Sequence, residues 1–415
     1  MVASLNKFIG GLFISCLALT SLMAQEITVH NPESAGFSSQ RLERIQPLMQ
    51  EYIDSGRLAG INTLIAREGN VIYLDSQGYR DIDKQEPMTE DTIFRIYSMT
   101  KPISTVAALI LYEKGAFLLS DPVSEYIPEF KDVQVYDQDA PDGTKRTPVD
   151  RQITIKDLMT HTSGLTYGLF SQTPVDTLYR ESGLFGENVQ SLEDMMNKLV
   201  TLPLLHQPGE TWHYSVSTDV LGYLVQVVSG QPLADFFCQH IFQPLEMNDT
   251  AFEVKNRDLS RFAVNYSRDE DGKLIPVDGG RSSDFAAPVT MHSGGGGLVS
   301  TLADYLKFSQ MLLNGGELNG TRILSPKSVD LMTQNHLQGE RSPGWGFGLG
   351  VQVCLNVPRT GSLGTQGMYG WSGAAKTFFF IDPEEELIAM VWTQLFGDTD
   401  MANKFKVAVY QAMIQ

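Results

Sequence analysis

Apolar positions Leu42, Ile45, Leu48, Met49, Tyr52 and Ile53 recur at helical spacing after Ser38 and Ser39, which predicts an amphipathic helix over about residues 40 to 55, with Gly56 where it would stop. Two short apolar runs follow, Ile61 to Ala66 and Val71 to Leu74, parted by Arg67-Glu68-Gly69-Asn70, the pattern of a hairpin. Near the other end Thr377 to Ile381 and Leu387 to Trp392 flank Asp382-Pro383-Glu384-Glu385 as a second hairpin, and a last helix is predicted from about Met401 to Met413. Strand pairs at both ends predict an α+β fold in which one antiparallel sheet, built from both chain ends, is flanked by helices. From about Ser120 to Asp284 the texture changes to Pro- and Asp-rich connections such as Asp139 to Asp150, helical stretches such as Asp219 to Val228, and few alternating runs. This middle reads as a mostly helical inserted domain. The expected division is a leader (1–24), a sheet domain (25–119 plus 285–415) and a helical domain (120–284), with the active site in the cleft between the two domains.

The leader is read from Lys7, the apolar run Phe8 to Leu19 and the small residues ending at Ala24, which form a secretory signal pattern and predict an exported protein, periplasmic or secreted. The run is shorter than the roughly 20 residues that span a bilayer, so no transmembrane segment is expected in the mature chain. Cleavage before Cys16 with lipid attachment is the weaker alternative. Removing the leader deletes Lys7 and no acid, taking the formal charge from −18 to −19. That charge argues against nucleic-acid partners. Only Cys238 and Cys354 then remain, too few for a disulfide framework, and one bridge or two buried thiols fit equally well. The seven histidines include no His-Glu-x-x-His and the acids are scattered, so neither a metal nor a cofactor is expected. Oligomeric state is open.

Ser98 and Lys101 stand three apart in Ser98-Met99-Thr100-Lys101, ahead of the strongly helical Val106 to Tyr112. At the start of a helix the two side chains share a face, and free N–H groups with the helix dipole favour negative charge on the hydroxyl. The pair alone is weak: 31 serines and 15 lysines in 415 residues give about one such pair by chance. Ser4 and Lys7 form another inside the leader.

Its support lies in Tyr214-Ser215-Val216 and Trp371-Ser372-Gly373, in that order, together with Phe94-Arg95-Ile96, Leu158 to Leu165, Pro208-Gly209 and Gly294 to Thr301. With these blocks the chain resembles the serine β-lactamase and penicillin-binding-protein superfamily, in its class C β-lactamase-like branch, and is closest in pattern to the family VIII carboxylesterases. The resemblance covers about residues 30 to 415. It implies Ser98 as nucleophile of an acyl-enzyme, Lys101 as base or activator of the base, Tyr214 as base and acid, and the backbone N–H groups of Ser98 and Ala374 as the oxyanion hole. Burial of Lys101 beside Tyr214 would lower the lysine pKa, and which of the two is the base stays open.

In β-lactam-processing relatives the tyrosine block usually ends in Asn and the third block begins with Lys or His; here Val216 and Trp371 stand in those places. The missing amide and cation would each supply a hydrogen bond, of about 1.5–3 kcal/mol where charged. The substitutions therefore direct the expectation toward small neutral esters, with Trp371, Gly373, Val216 and Tyr167 as candidate substrate-binding residues. β-Lactamase, D-amino-acid peptidase and acyltransferase activities are the alternatives within this chemistry, and a non-catalytic cell-wall binding module is the rival of another class. His161 is read as shaping a turn. Gly294 to Gly297 lacks the Gly-Lys-Ser/Thr of a phosphate loop and is read as close backbone packing, while the absence of Gly-x-Ser-x-Gly removes the main signature of an α/β-hydrolase.

Overall fold

Strands from the two ends of the chain meet in the middle of one sheet. The computed structural model describes residues 27–137, 139, 145–185 and 190–415; the predicted leader, with Cys16, lies outside them. The sheet strands are β1 (Gly60–Arg67), β2 (Asn70–Asp81), β3 (Glu86–Pro87), β4 (Trp345–Phe347), β5 (Gln352–Cys354), β6 (Tyr369–Ser372), β7 (Phe378–Asp382) and β8 (Leu387–Trp392). Their order is β4-β5-β6-β7-β8-β1-β2-β3, and every neighbouring pair is antiparallel. The N- and C-terminal hairpins join where Leu64 of β1 faces Met390 of β8. Both strands are buried on both faces, so they read as continuous apolar runs.

The predicted first helix is two, α1 (Ser39–Leu42) and α2 (Ile45–Asp54). Pro47 explains the break: it has no N–H to offer the carbonyl of Glu43, and its ring would crowd that carbonyl in a continuous helix. These helices and α7 (Met401–Tyr410), which stops short of the predicted Met413, cover one face of the sheet. Helices α3 (Thr100–Glu113) and α6 (Leu302–Leu313) belong to the larger core on the other face, where Trp392 is fully buried with Phe94 and Tyr305 against its ring.

Between residues 120 and 284 lie short helices, among them α4 (Ile155–Thr160) and α5 (Ser217–Ser229), with two small ribbons, Gln134–Tyr136 with Arg146–Pro148 and Asn265–Arg268 with Leu274–Asp278. Helix α5 packs against α3 and so ties this region to the nucleophile's helix. Cys238 and Cys354 are both free thiols. Among the described residues no helix is long and apolar enough to cross a membrane.

Candidate active site

Ser98 sits in a single tight turn, Tyr97–Met99, that runs directly into α3. The turn is held from three sides. Arg95, fully buried, donates to the carbonyl of Ala263 (2.6 Å), to Ser283 Oγ (3.2 Å) and to the carboxylate of Asp278, and lies on the ring of Phe262. Tyr97 has a left-handed backbone (φ 40°), unusual for a bulky residue, with its ring between Phe285 and Phe396. The carbonyl of Met99 accepts from Tyr305 OH at 2.9 Å. Strained backbone of this kind persists only where its surroundings over-determine it.

Lys101 is fully buried, and its ammonium has three acceptors: Ser98 Oγ at 3.3 Å, Tyr167 OH at 3.0 Å and the carbonyl of Gly295 at 2.6 Å. Three acceptors match the three donors of a lysine ammonium. Asp219, in the first turn of α5 and equally buried, accepts from Ser293 Oγ (2.5 Å) and Gly295 N–H (3.0 Å). Burial raises its pKa, against the pull of Lys101 and of those two donors. The glycine run is close packing, as expected. A Cβ on Gly295 would stand 2.4 Å from Asp219 Oδ2 and 3.0 Å from Tyr167 OH, and one on Gly294 would meet Thr218 O at 2.7 Å.

Tyr214 lies beside this pair, as expected, and meets it through its ring. Lys101 Nζ is 4.7 Å from the centre of its ring, a cation–π contact, while the Tyr214 hydroxyl is buried without a hydrogen-bond partner among the described residues. The phenol bonded to Lys101 is Tyr167, whose pKa is pushed well above 10 by burial and then by the nearby Asp219. The Tyr214 ring is caged by His161, Tyr167, Phe170 and Trp371 at 4.8–5.6 Å. Phe170 and Phe185, 66% and 51% exposed, pack on Tyr167 and form an apolar rim.

The other predicted residues divide. Trp371 is a nearly buried wall, with Phe347 and Tyr214 against it. Gly373 is buried, and a Cβ there would sit 2.4 Å from the carbonyl of Ile96, so its part is the close approach of strand end to nucleophile turn. Ala374 lies in the turn between β6 and β7, exposed, and its N–H donates to no backbone acceptor among the described residues. Val216 is fully buried at the N-cap of α5, in the hydrophobic core behind the cleft. The structure therefore gives it no accessible surface for a substrate. His161 caps α4 in the left-handed conformation (φ 54°), after the capping box of Thr154 and Asp157, and its pKa is held well below 6.5 by burial and then by Lys101.

Two residues escaped the sequence reading. Asp219 looks like any first-turn acid of a helix, and only the packing of α5 on α3 sets it beside Lys101. Arg341 lies far from every motif, yet its guanidinium is over the rings of Trp212 (4.8 Å) and Trp371 (5.4 Å). A cation from another segment thus stands over Trp371, which no local pattern announces.

A family model described as Beta-lactamase matches residues 45–412. The chain belongs to the beta-lactamase family. Within it, the chain is 37% identical over 380 residues to Protein Rv1367c of Mycobacterium tuberculosis (88% of this chain, 93% of the relative). It is 31% identical over 360 residues to Esterase EstB of Burkholderia gladioli (82% and 86%). Among solved structures, EstCE1, described as a hydrolase with promiscuous acyltransferase activity, superposes with a TM-score of 0.77 at 30% identity, covering 89% of this chain and 99% of that one. The antiparallel sheet with its flanking helices is the architecture this chain shares with EstCE1.

Proposed function

We propose that the protein hydrolyses small esters through an acyl-enzyme on Ser98, and the contact of Ser98 Oγ with the buried ammonium of Lys101 is the observation that carries this reading. It is a serine hydrolase of the carboxylesterase type. In its neutral form Lys101 accepts the Ser98 proton as Oγ bonds to the ester carbonyl carbon, and the oxyanion forms at the N–H groups of Ser98 and Ala374. The carbonyl then re-forms, the C–O bond to the alcohol breaks, and the leaving alkoxide takes a proton from Tyr214. Water cleaves the acyl-enzyme by the same steps reversed in role. A buried, unpartnered phenol is costly as it stands and gains most when a reacting oxygen bonds to it. The exposed Phe170 and Phe185 favour apolar substituents on the substrate.

The test compares the protein with Ser98→Ala on p-nitrophenyl butyrate and on a chromogenic cephalosporin, with intact mass read for an adduct. Ester turnover and an acyl adduct are expected only with Ser98 present. Full ester turnover in the Ala variant sinks the mechanism, and cephalosporin turnover far above ester turnover sinks the substrate class. Tyr214→Phe is expected to lower the ester rate at least about tenfold; an unchanged rate removes it from the proton path. Export with removal of residues 1–24 is part of the same proposal. N-terminal sequencing of the protein recovered outside the cytoplasm should begin near Gln25, and a start at Met1 would contradict it.

A further inference from the structure

On the face of the sheet away from Ser98, helices α2 and α7 stand off the edge strands and leave a cavity of about 880 Å³, within the range of small-molecule sites. Its floor is the back of β6 and β7: Gly370, Phe378 and Phe380, with Trp345 and Met368 beside them. Alternation along β6 puts Gly370 on this face and Trp371 on the catalytic face. A Cβ on Gly370 would stand 2.2 Å from the carbonyl of Phe379, so the site carries a glycine for backbone reasons, and the space above it stays open.

Charge distinguishes this cavity. The chain carries a net −18, yet three cations, Arg44, Lys404 and Lys406, line it against one carboxylate, Asp400; Arg341 also borders it, but its guanidinium is placed over Trp212 and Trp371. Asp400 is already engaged by Lys404 (3.0 Å) and Tyr52 OH (2.5 Å). Arg44 donates to Gln411 Oε1 and Arg341 to Gln352 Oε1. Lys406 has no such partner. It is only 4% exposed, projects from the sheet-facing side of α7, and makes no hydrogen bond or ion pair among the described residues; it lies 5.2 Å from the Trp345 ring and near the thiol of Cys354. Its stem is buried while its ammonium meets the open cavity, so water is its partner there, and an anion entering the cavity would supply a charged one.

We infer that this cavity is a second binding site, separate from the catalytic cleft, for a small carboxylate carried on an apolar or aromatic body, with the carboxylate on Lys406 and the body on Phe378, Phe380 and Trp345. The body accounts for the aromatic floor, which an inorganic anion would leave unused. The charge accounts for Lys406, which a neutral ligand would leave unpaired. Burial depresses the Lys406 pKa, so a bound carboxylate restores the proton's hold and binding weakens as pH rises through that depressed value.

The experiment uses the full protein with Ser98 covalently blocked by a phosphonate, so that any ligand must bind elsewhere, and phenylbutyrate as the ligand, titrated by calorimetry. One site with a dissociation constant of about 0.1–1 mM is expected. Lys406→Met should weaken it at least about tenfold, and so should the neutral analogue phenylbutanol on the unaltered residue. Asn403→Trp, which fills the mouth of the cavity while keeping the Lys406 ammonium, should do the same, and covers the case in which the Met variant folds poorly. Equal affinity in Lys406→Met, equal affinity for phenylbutanol, inorganic phosphate binding as tightly as phenylbutyrate, or no saturable binding by the blocked protein would each overturn the assignment.

Discussion

Two buried lysines, on opposite faces of one sheet, are treated in opposite ways. Lys101 is fully enclosed and the chain supplies every acceptor its ammonium can use, from Ser98, Tyr167 and Gly295, with Asp219 as a nearby counter-charge. Lys406 is almost as enclosed and the described residues supply none. The contrast teaches that burial alone does not define a catalytic lysine. What matters is whether the surrounding groups hold the nitrogen at a reacting atom, as at Ser98, or leave it for something outside the chain to complete.

The comparison is sharpened most by removing each nitrogen. Lys101→Met should lower kcat/KM for p-nitrophenyl butyrate by about 10³-fold or more with the circular dichroism spectrum retained, since it deletes the proton acceptor of the nucleophile. A loss under tenfold would break the distinction at its strong end. Gly295→Ala attacks the same nitrogen through its acceptors. The added Cβ must displace the Asp219 carboxylate or the Tyr167 hydroxyl, and a rate loss of about ten- to hundredfold is expected, the weight of one charged hydrogen bond. Tyr167→Phe, which removes one of three acceptors and little volume, should cost about tenfold.

Lys406→Met gives the smallest effect and the opposite sign. Ester turnover should be unchanged, and urea unfolding at neutral pH should show a gain of about 1 kcal/mol, because an unpaired buried charge is replaced by an apolar chain of similar length. The pH dependence follows from the direction of the shift. Burial lowers the pKa of Lys406 in the folded protein below 10.5, so the charge costs stability at all pH values below the folded pKa. That cost fades as pH rises through it, and the gap between wild type and variant should close toward alkaline pH. A gap that widens there, or a loss of stability in the Met variant at neutral pH, would place a hidden partner on Lys406.

Much of the fold was legible because the terminal hairpins carry their own signals, apolar runs bounded by turn residues, and because two hairpins at opposite ends can bury both faces only by joining. The helix break at Glu43 was equally written in the chain, in Pro47, but periodicity outweighed it in the reading. Ser98 and Lys101 were visible as a spacing and became meaningful only through the ordered blocks around Tyr214 and Trp371. Val216, a candidate for the substrate, is buried in the structure. It stands two residues after Tyr214, at the N-cap of α5, where the chain has already turned into the core.

The sequence by itself determined the elements whose causes are local: hairpins, capped helices, the nucleophile's turn, and the glycines that allow close approach. Tertiary structure alone decided which phenol bonds Lys101, that Asp219 and Arg341 join the site, and that Lys406 faces a cavity. Each of these is a contact between segments 30 to 129 residues apart in the chain, from Arg341 with Trp371 through Lys406 with Trp345, Lys101 with Tyr167 and Lys101 with Asp219 to Arg341 with Trp212. Such contacts are set by how packed layers bring distant segments together, and no pattern of neighbouring residues encodes them.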